Sequence, residues 1–430
     1  MASQKIFSCT KCDAQSLKWL GQCQECGAWG TLVETNLARE PAASVAAAPV
    51  RVVSLGEHVA PTPKLASGIG EVDRVLGGGI TPASLILLGG EPGVGKSTLC
   101  LQVARALAGE VLYFSGEESL DQVAGRWARI GGGNGMQFAS SVNAEEIAAT
   151  IAASNPPLAI VDSVQTISSG RAEGLPGSVG QVRAATAVLM DAAKRGRTAI
   201  LLTGHVTKDG MVAGPKTLEH LVDVVLYLEG DRTGGYRLLR GVKNRFGSTD
   251  EVGVFVMNEG GLEEVANPSS LFLDASRTGE SGQVVTVVME GRRAFLAEVQ
   301  VLCERAAFGY PQRKTSGFDA GRLQLLLAVM GKRLRLPLGT MDVFLNVIGG
   351  LRISEPAGDL AVCAALLSAA KDRAIGVDVA LFGEVGLGGE VRKVGFAEQR
   401  RKEAERLGFK KIISADEVKH VRDLEAVLWG

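Results

Sequence analysis

The octapeptide Gly90-Glu91-Pro92-Gly93-Val94-Gly95-Lys96-Ser97 constrains this chain more than any other stretch. It satisfies G-x-x-x-x-G-K-[ST], in which glycines let backbone N–H groups close around an anion without Cβ clashes. In that chemistry Lys96 supplies charge for the β- and γ-phosphates of ATP, and Ser97 offers a hydroxyl to Mg²⁺, with Thr98 following. The flanks agree. Ser84-Leu85-Ile86-Leu87-Leu88 is a short apolar run suited to a buried parallel strand. Thr98 to Ala104 reads as a helix whose N-terminal dipole faces the phosphates. The expectation is an α/β nucleotide-hydrolase domain with ATP and Mg²⁺ as cofactors, contacted by Gly90, Glu91, Pro92, Gly93, Val94, Gly95, Lys96, Ser97 and Thr98. At 430 residues the chain has room for two or three domains.

Acidic residues follow at the spacing this chemistry needs. Leu158-Ala159-Ile160-Val161-Asp162 is an apolar strand closing on an acid, the Walker-B arrangement, so Asp162 is the second Mg²⁺ residue beside Ser97. Val111 to Phe114 is a strand ending in Ser115-Gly116-Glu117-Glu118, with helical periodicity from Ser119 to Ile130. Open parallel sheets bind ligands at that strand edge, so one carboxylate there is the candidate general base. Glu117 is preferred; Glu118 stays open, although an acid there also suits a helix N-terminus. Ser163 to Gly180 is a glycine-rich loop, Gln181 to Arg195 a helix, and Thr198 to Thr203 a strand running into Gly204-His205. His205 either reports the γ-phosphate to the polar loop that follows or is a plain strand-end histidine. Val224 to Leu228 and Tyr236 to Val242 read as strands around a turn. At the end of what reads as an edge strand, Lys243-Asn244-Arg245-Phe246-Gly247 brackets an Asn with two cations. A cation there can reach a neighbouring subunit's nucleotide and stabilise charge on the transferring phosphoryl group, which makes Lys243 and Arg245 catalytic candidates in trans.

Cys9-x2-Cys12 and Cys23-x2-Cys26 stand ten residues apart. Two such knuckles suit one tetrahedral Zn²⁺ held by four thiolates, a closed and therefore structural site. Four free cysteines, two disulfides and an iron–sulfur centre are the other readings. The chain carries 46 basic and 47 acidic residues, so nothing in its overall balance announces nucleic acid; affinity for phosphate would come from local patches. No apolar run is long enough to span a bilayer, and no secretory signal is apparent. A cytoplasmic protein without membrane contact is expected. Asn36 to Val53, rich in Ala and Pro, reads as a linker. The expected division is a zinc module over 1–35, a linker over 36–58, an ATPase domain over 59–266 and a further domain over 267–430.

The phosphate loop, Ser-Gly-Glu-Glu-Ser at 115–119, the strand closing on Asp162 and the pentapeptide Lys243–Gly247, behind a four-Cys module, together resemble the bacterial RadA (Sms) family of DNA repair and recombination proteins. The resemblance covers essentially the full chain. It implies a RecA-like core in which Glu117 is the base, and it aligns the loops Ser163–Gly180 and His205–Lys216 with DNA-contacting loops, making Arg171, Arg183, Lys208 and Lys216 DNA candidates. It further implies a homo-hexameric ring on single-stranded and branched DNA that drives branch migration, with a RecA-type recombinase as partner. The last part, with strands near Gln283–Met289, Ala294–Val301, Val343–Ile348 and Lys411–Ile413, helices near Gly321–Leu334, Asp359–Ala370 and Glu398–Leu407, and a hairpin turning at Gly388-Gly389, resembles the α+β proteolytic domain of Lon proteases. There the expected Ser and Lys are replaced by Ala357 and Ala397, and a methyl group neither attacks a carbonyl nor accepts a proton. Ser354 and Lys393 are nearby but shifted. A scaffold rather than a protease follows, with Arg313, Lys314, Lys332, Arg333 and Arg335 as a candidate basic surface.

Overall fold

The computed structural model describes residues 6–10, 15–16, 18–24, 27–35, 63–107, 111–133, 135–205, 218–230, 235–265, 267, 269, 273, 279–306 and 310–430. The chain forms two compact units, one of Met1–Gly68, Gly78–Leu226 and Lys243–Phe246, the other of Ile69–Gly77, Tyr227–Val242 and Gly247–Gly430.

In the first unit, β1 (Ile6–Cys9), β2 (Gln15–Ser16) and β3 (Leu32–Thr35) make a small antiparallel sheet with β1 in the middle. The larger sheet is parallel. Its order runs β4 (Leu85–Gly90), β8 (Ala199–His205), β7 (Leu158–Asp162), β5 (Val111–Ser115), β6 (Gln137–Ser140). β4, β5 and β7 are buried along their whole length, which is why they read as unbroken apolar runs instead of alternating ones. Helices α2 (Lys96–Ala106), α3 (Leu120–Arg129), α4 (Ala144–Ser154) and α5 (Val179–Gly196) connect them. Register brings the strand ends level: Gly90 lies opposite His205 and Ser115 opposite Asp162. All the C-terminal ends therefore meet at one edge, where ligands of open parallel sheets bind.

In the second unit, α1 (Gly70–Val75) packs on β11 (Val252–Asn258), whose hairpin partner is β12 (Gly261–Glu264). Glu71 of α1 is buried and accepts from Val254 N–H at 2.8 Å and from Arg293 Nη1 at 2.5 Å. β10 (Tyr236–Asn244) leads out of this unit into the pentapeptide, whose Lys243 and Asn244 are the strand's last two residues. It lies between β9 (Val224–Gly230) and β11. The expected edge strand is thus an interior one, because Val252–Asn258, unnoticed in the sequence, supplies a further partner from Tyr236↔Val256 to Arg240↔Val252. A six-stranded mixed sheet runs β15 (Arg313–Ser316), β16 (Met341–Val347), β14 (Arg293–Arg305), β13 (Gln283–Glu290), β17 (Val379–Leu381), β20 (Lys411–Ile413). Helices α6 (Ala320–Leu334), α7 (Asp359–Lys371) and α8 (Ala397–Arg406) complete it. From Asp359 to Ser368, α7 is wholly buried, and its alanines allow that close packing. The Gly388-Gly389 turn joins β18 (Glu384–Val385) to β19 (Val391–Arg392), with Gly389 at φ 90°, where a Cβ would be strained. No helix among the described residues is long and apolar enough to cross a membrane.

Candidate nucleotide site

The phosphate loop leaves β4 with Gly93 at φ 76° and Gly95 at φ 114°, conformations that favour glycine. Gly95 is the N-cap of α2, so the helix's first N–H groups open onto the loop. Lys96 is 5 % exposed. Its Nζ donates to the carbonyls of Gly90 at 3.0 Å and Glu91 at 3.1 Å. Burial pulls its pKa below the ordinary lysine value, and the charges of Asp162, Cys100 and Glu117 oppose that shift.

The acids sit on the neighbouring strand ends. Asp162 is buried and both its oxygens are occupied: Tyr113 Oη donates to Oδ2 at 2.7 Å and Thr203 Oγ1 to Oδ1 at 2.5 Å. Burial, then the Asp162 charge, pushes the Tyr113 phenol well above its usual range, so it stays a donor. Ser163 Oγ donates to Glu117 Oε1 at 2.5 Å. Glu118 is differently committed: its N–H donates to Ser115 Oγ at 3.0 Å, and Oε1 takes Arg126 Nη2 at 2.5 Å. The Glu118 carboxylate is thus engaged by Arg126, and that of Glu117 by Ser163. Tyr113, Thr203, Ser163 and Arg126 are not legible as site residues in the sequence. A tyrosine inside an apolar strand and a threonine at a strand end carry no signature of their own; only the pairing of β5, β7 and β8 makes them ligands of one carboxylate.

Lys243 Nζ donates to the carbonyls of Glu219 at 2.5 Å and Val222 at 2.9 Å, and Arg245 Nη1 to Asp223 Oδ1 at 3.0 Å. Arg171 is exposed, 4.0 Å from Glu145, and Arg183 is exposed on α5. Lys208 and Lys216 lie outside the described residues.

In the N-terminal module, Cys9 and Cys23 are buried together with Leu32. Gly27 N–H donates to Cys23 C=O at 2.9 Å and Cys23 N–H to Ala28 C=O at 2.8 Å, a tight turn of the kind a metal knuckle uses. Cys12 and Cys26 lie outside the described residues. One cysteine of each knuckle thus lies in the same small buried cluster, and thiolates are the soft donors zinc takes.

At the protease-like site, Ala357 is buried and Ala397 is the first residue of α8. Shifted Lys393 pairs with Asp416 at 2.8 Å, and Ser354 is exposed. The two segments are joined instead by Glu355 and Arg400: Arg400 Nη1 and Nη2 reach the Glu355 carboxylate at 2.7 and 2.5 Å. The same pair serves the backbone of β13 beyond Thr286, where its partner β17 ends. Glu355 Oε1 accepts from Met289 N–H at 2.6 Å, and Arg400 Nη1 donates to Val287 C=O at 2.5 Å. The basic residues divide between two elements, Arg313 and Lys314 on β15 and Lys332, Arg333 and Arg335 at the end of α6.

Three family profiles match the chain. Residues 60–211 match an AAA domain, residues 7–34 the rubredoxin metal binding domain, and residues 341–428 the Lon protease (S16) C-terminal proteolytic domain. The DNA repair protein RadA of Brucella abortus (strain 2308) is 45% identical over 427 residues, covering 95% of this chain and 91% of that protein. The DNA repair protein RadA of Bacillus subtilis (strain 168) is 45% identical over 422 residues, with the same coverage of 95% and 91%. That of Pseudomonas aeruginosa is 45% identical over 419 residues, covering 96% and 92%. The expected architecture holds: a RecA-like P-loop ATPase core, a zinc-ribbon module before it and a Lon-like α+β domain after it.

Proposed function

The chain belongs to the family of the bacterial DNA repair protein RadA, and from that premise we propose that it is a DNA-dependent ATPase acting on recombination intermediates. The observation that carries this reading is one sheet edge holding a buried lysine inside a phosphate loop, a carboxylate fixed by Tyr113 and Thr203, and a second carboxylate bonded through Ser163. ATP brings the phosphoanhydride bond, and Ser97 and Asp162 would hold its Mg²⁺. Lys96 balances phosphate charge, the loop N–H groups orient it, and Glu117 accepts a proton from the attacking water. Lys243 and Arg245 act on a neighbouring subunit's phosphates, which makes the working form a ring, proposed as a hexamer. Single-stranded and branched DNA, contacted by Arg171, Arg183, Lys208 and Lys216, and a RecA-type recombinase are the proposed partners. The zinc module is held by Cys9, Cys12, Cys23 and Cys26. The Lon-like domain acts as a scaffold, a role that its alanines at 357 and 397 support.

The test is ATP turnover with and without single-stranded DNA, paired with strand displacement on a forked substrate. DNA-stimulated turnover with displacement is expected of a branch-migrating motor. Turnover without displacement would leave a nucleotide-switched DNA-binding adaptor.

A further inference from the structure

Asp223 stands immediately before β9, and its side chain is 2 % exposed. Its Oδ2 accepts from Lys194 Nζ at 2.8 Å and from Leu85 N–H at 3.1 Å, and its Oδ1 from Arg245 Nη1 at 3.0 Å. Its backbone joins two of the same partners. The Asp223 N–H donates to Leu85 C=O at 3.0 Å, and its C=O accepts from Arg245 N–H at 3.2 Å. Lys243 is docked on the same short segment, through the carbonyls of Glu219 and Val222. Both cations of the pentapeptide therefore rest on Glu219–Asp223. That segment is fastened to Leu85, the first residue of the strand that delivers the phosphate loop.

Isolated burial of a carboxylate is strongly unfavourable, and this one is answered by two cations and a backbone N–H. The Arg245 side chain itself is 53 % exposed. An ion pair so open to water adds little stability, so its main physical effect is on direction. Arginine is a long and mobile side chain whose planar fork recognises oxygen anions only when aimed. We infer that Asp223 is a positioning residue for the ATPase: it aims the Arg245 guanidinium and registers the Lys243–Gly247 pentapeptide against the root of the phosphate loop. The inference rests on the reading of Arg245 as a cation for phosphoryl charge. It also assigns a use to Lys194, which neutralises the second Asp223 oxygen and leaves the first for Arg245.

The experiment compares full-length wild type, Asp223→Asn, Arg245→Ala and the double variant, in DNA-stimulated ATP turnover and in binding of a fluorescent ATP analogue. Asparagine keeps an oxygen to accept from Leu85 N–H but loses the charge that holds Arg245. Asp223→Asn is expected to lower kcat on the order of tenfold, the size of one lost charge-assisted hydrogen bond, with KM and analogue affinity within about twofold. In the Arg245→Ala background the same change is expected to cost no more than about twofold, because the residue it acts through is already gone. Equal losses in both backgrounds would make Asp223 a folding residue and overturn the inference. A wild-type kcat in Asp223→Asn beside an impaired Arg245→Ala would overturn it while leaving the cation's role standing. Wild-type turnover in Arg245→Ala would remove both. Asp223→Glu keeps the charge but shifts the carboxylate by one methylene; it serves if the asparagine variant does not fold, and an unchanged kcat there also overturns the inference.

Discussion

Lys96 donates to two carbonyls of its own loop, bonds that phosphate oxygens can replace without moving the backbone. Lys96→Ala is expected to abolish measurable ATP hydrolysis while leaving the thermal unfolding profile intact; retained turnover would remove the site assignment. The two adjacent glutamates should separate cleanly. Glu117→Gln is expected to lose about 10²–10⁴-fold in kcat, the usual worth of a general base, whereas Glu118→Gln, whose carboxylate serves Arg126, retains most turnover. Asp223 gives a pH signature. Burial pushes its carboxyl up, but the hydrogen bond from Lys194, the Leu85 N–H, the Lys194 charge and Arg245 outweigh it and hold the pKa below the usual carboxylate value. A depressed folded pKa gives stability that is present above the unfolded value and lost as pH falls through the folded one. The melting-temperature gap between wild type and Asp223→Asn should be full near neutrality and close as pH falls below about 3.9. A gap that persisted at acid pH would show that charge is not its cause.

At the scale of elements, the turn after β5 aims Glu117, and it has little room. A Cβ on Gly116 would lie 2.7 Å from Thr166 Oγ1 and 2.8 Å from Val142 Cγ1. Gly116→Ala is therefore expected to cost about 1–3 kcal/mol of stability by overpacking, seen in denaturant unfolding, and to lower turnover more than nucleotide binding as Glu117 shifts. The elements that carry this site were legible because the buried strands are apolar throughout and the phosphate loop is a local pattern. Leu158–Asp162 and Lys411–Ile413 fall where the sequence put them. β6 and α4 escaped notice for the opposite reason. Gln137–Ser140 is half exposed at the rim of the sheet, and α4 is a run of alanines that buries only Ala144, Ile147 and Ile151. β10 reads as an edge in the sequence because nothing local to Tyr236–Val242 announces a partner downstream. Asp223 was invisible for a related reason: its partners Leu85, Lys194 and Arg245 are far away in the chain, and one aspartate before an apolar strand has no pattern.

At the scale of the whole molecule, the chain joins a metal-ribbon profile, an ATPase profile and a protease-domain profile in one polypeptide. Metal analysis is expected to give about one zinc per chain and almost none in Cys9→Ser, with nucleotide-analogue binding unchanged, since a closed four-thiolate site is structural. At the other end, restoring both missing groups as Ala357→Ser with Ala397→Lys is expected to yield no casein cleavage. An extended peptide adds to a sheet by its backbone. The Met289 N–H and Val287 C=O it would use are held by Glu355 and Arg400. That ion pair also dictates the order in which change can happen. Arg400 is 1 % exposed, so substituting Glu355 alone strands a buried guanidinium at about 3–5 kcal/mol. A loss of that size is a large fraction of the roughly 5–15 kcal/mol that keeps an ordinary domain folded. A lineage carrying this domain meets that deficit whenever Glu355 is changed before Arg400. The salt bridge works as an evolutionary ratchet: while Arg400 stays buried, Glu355 is not easily given up.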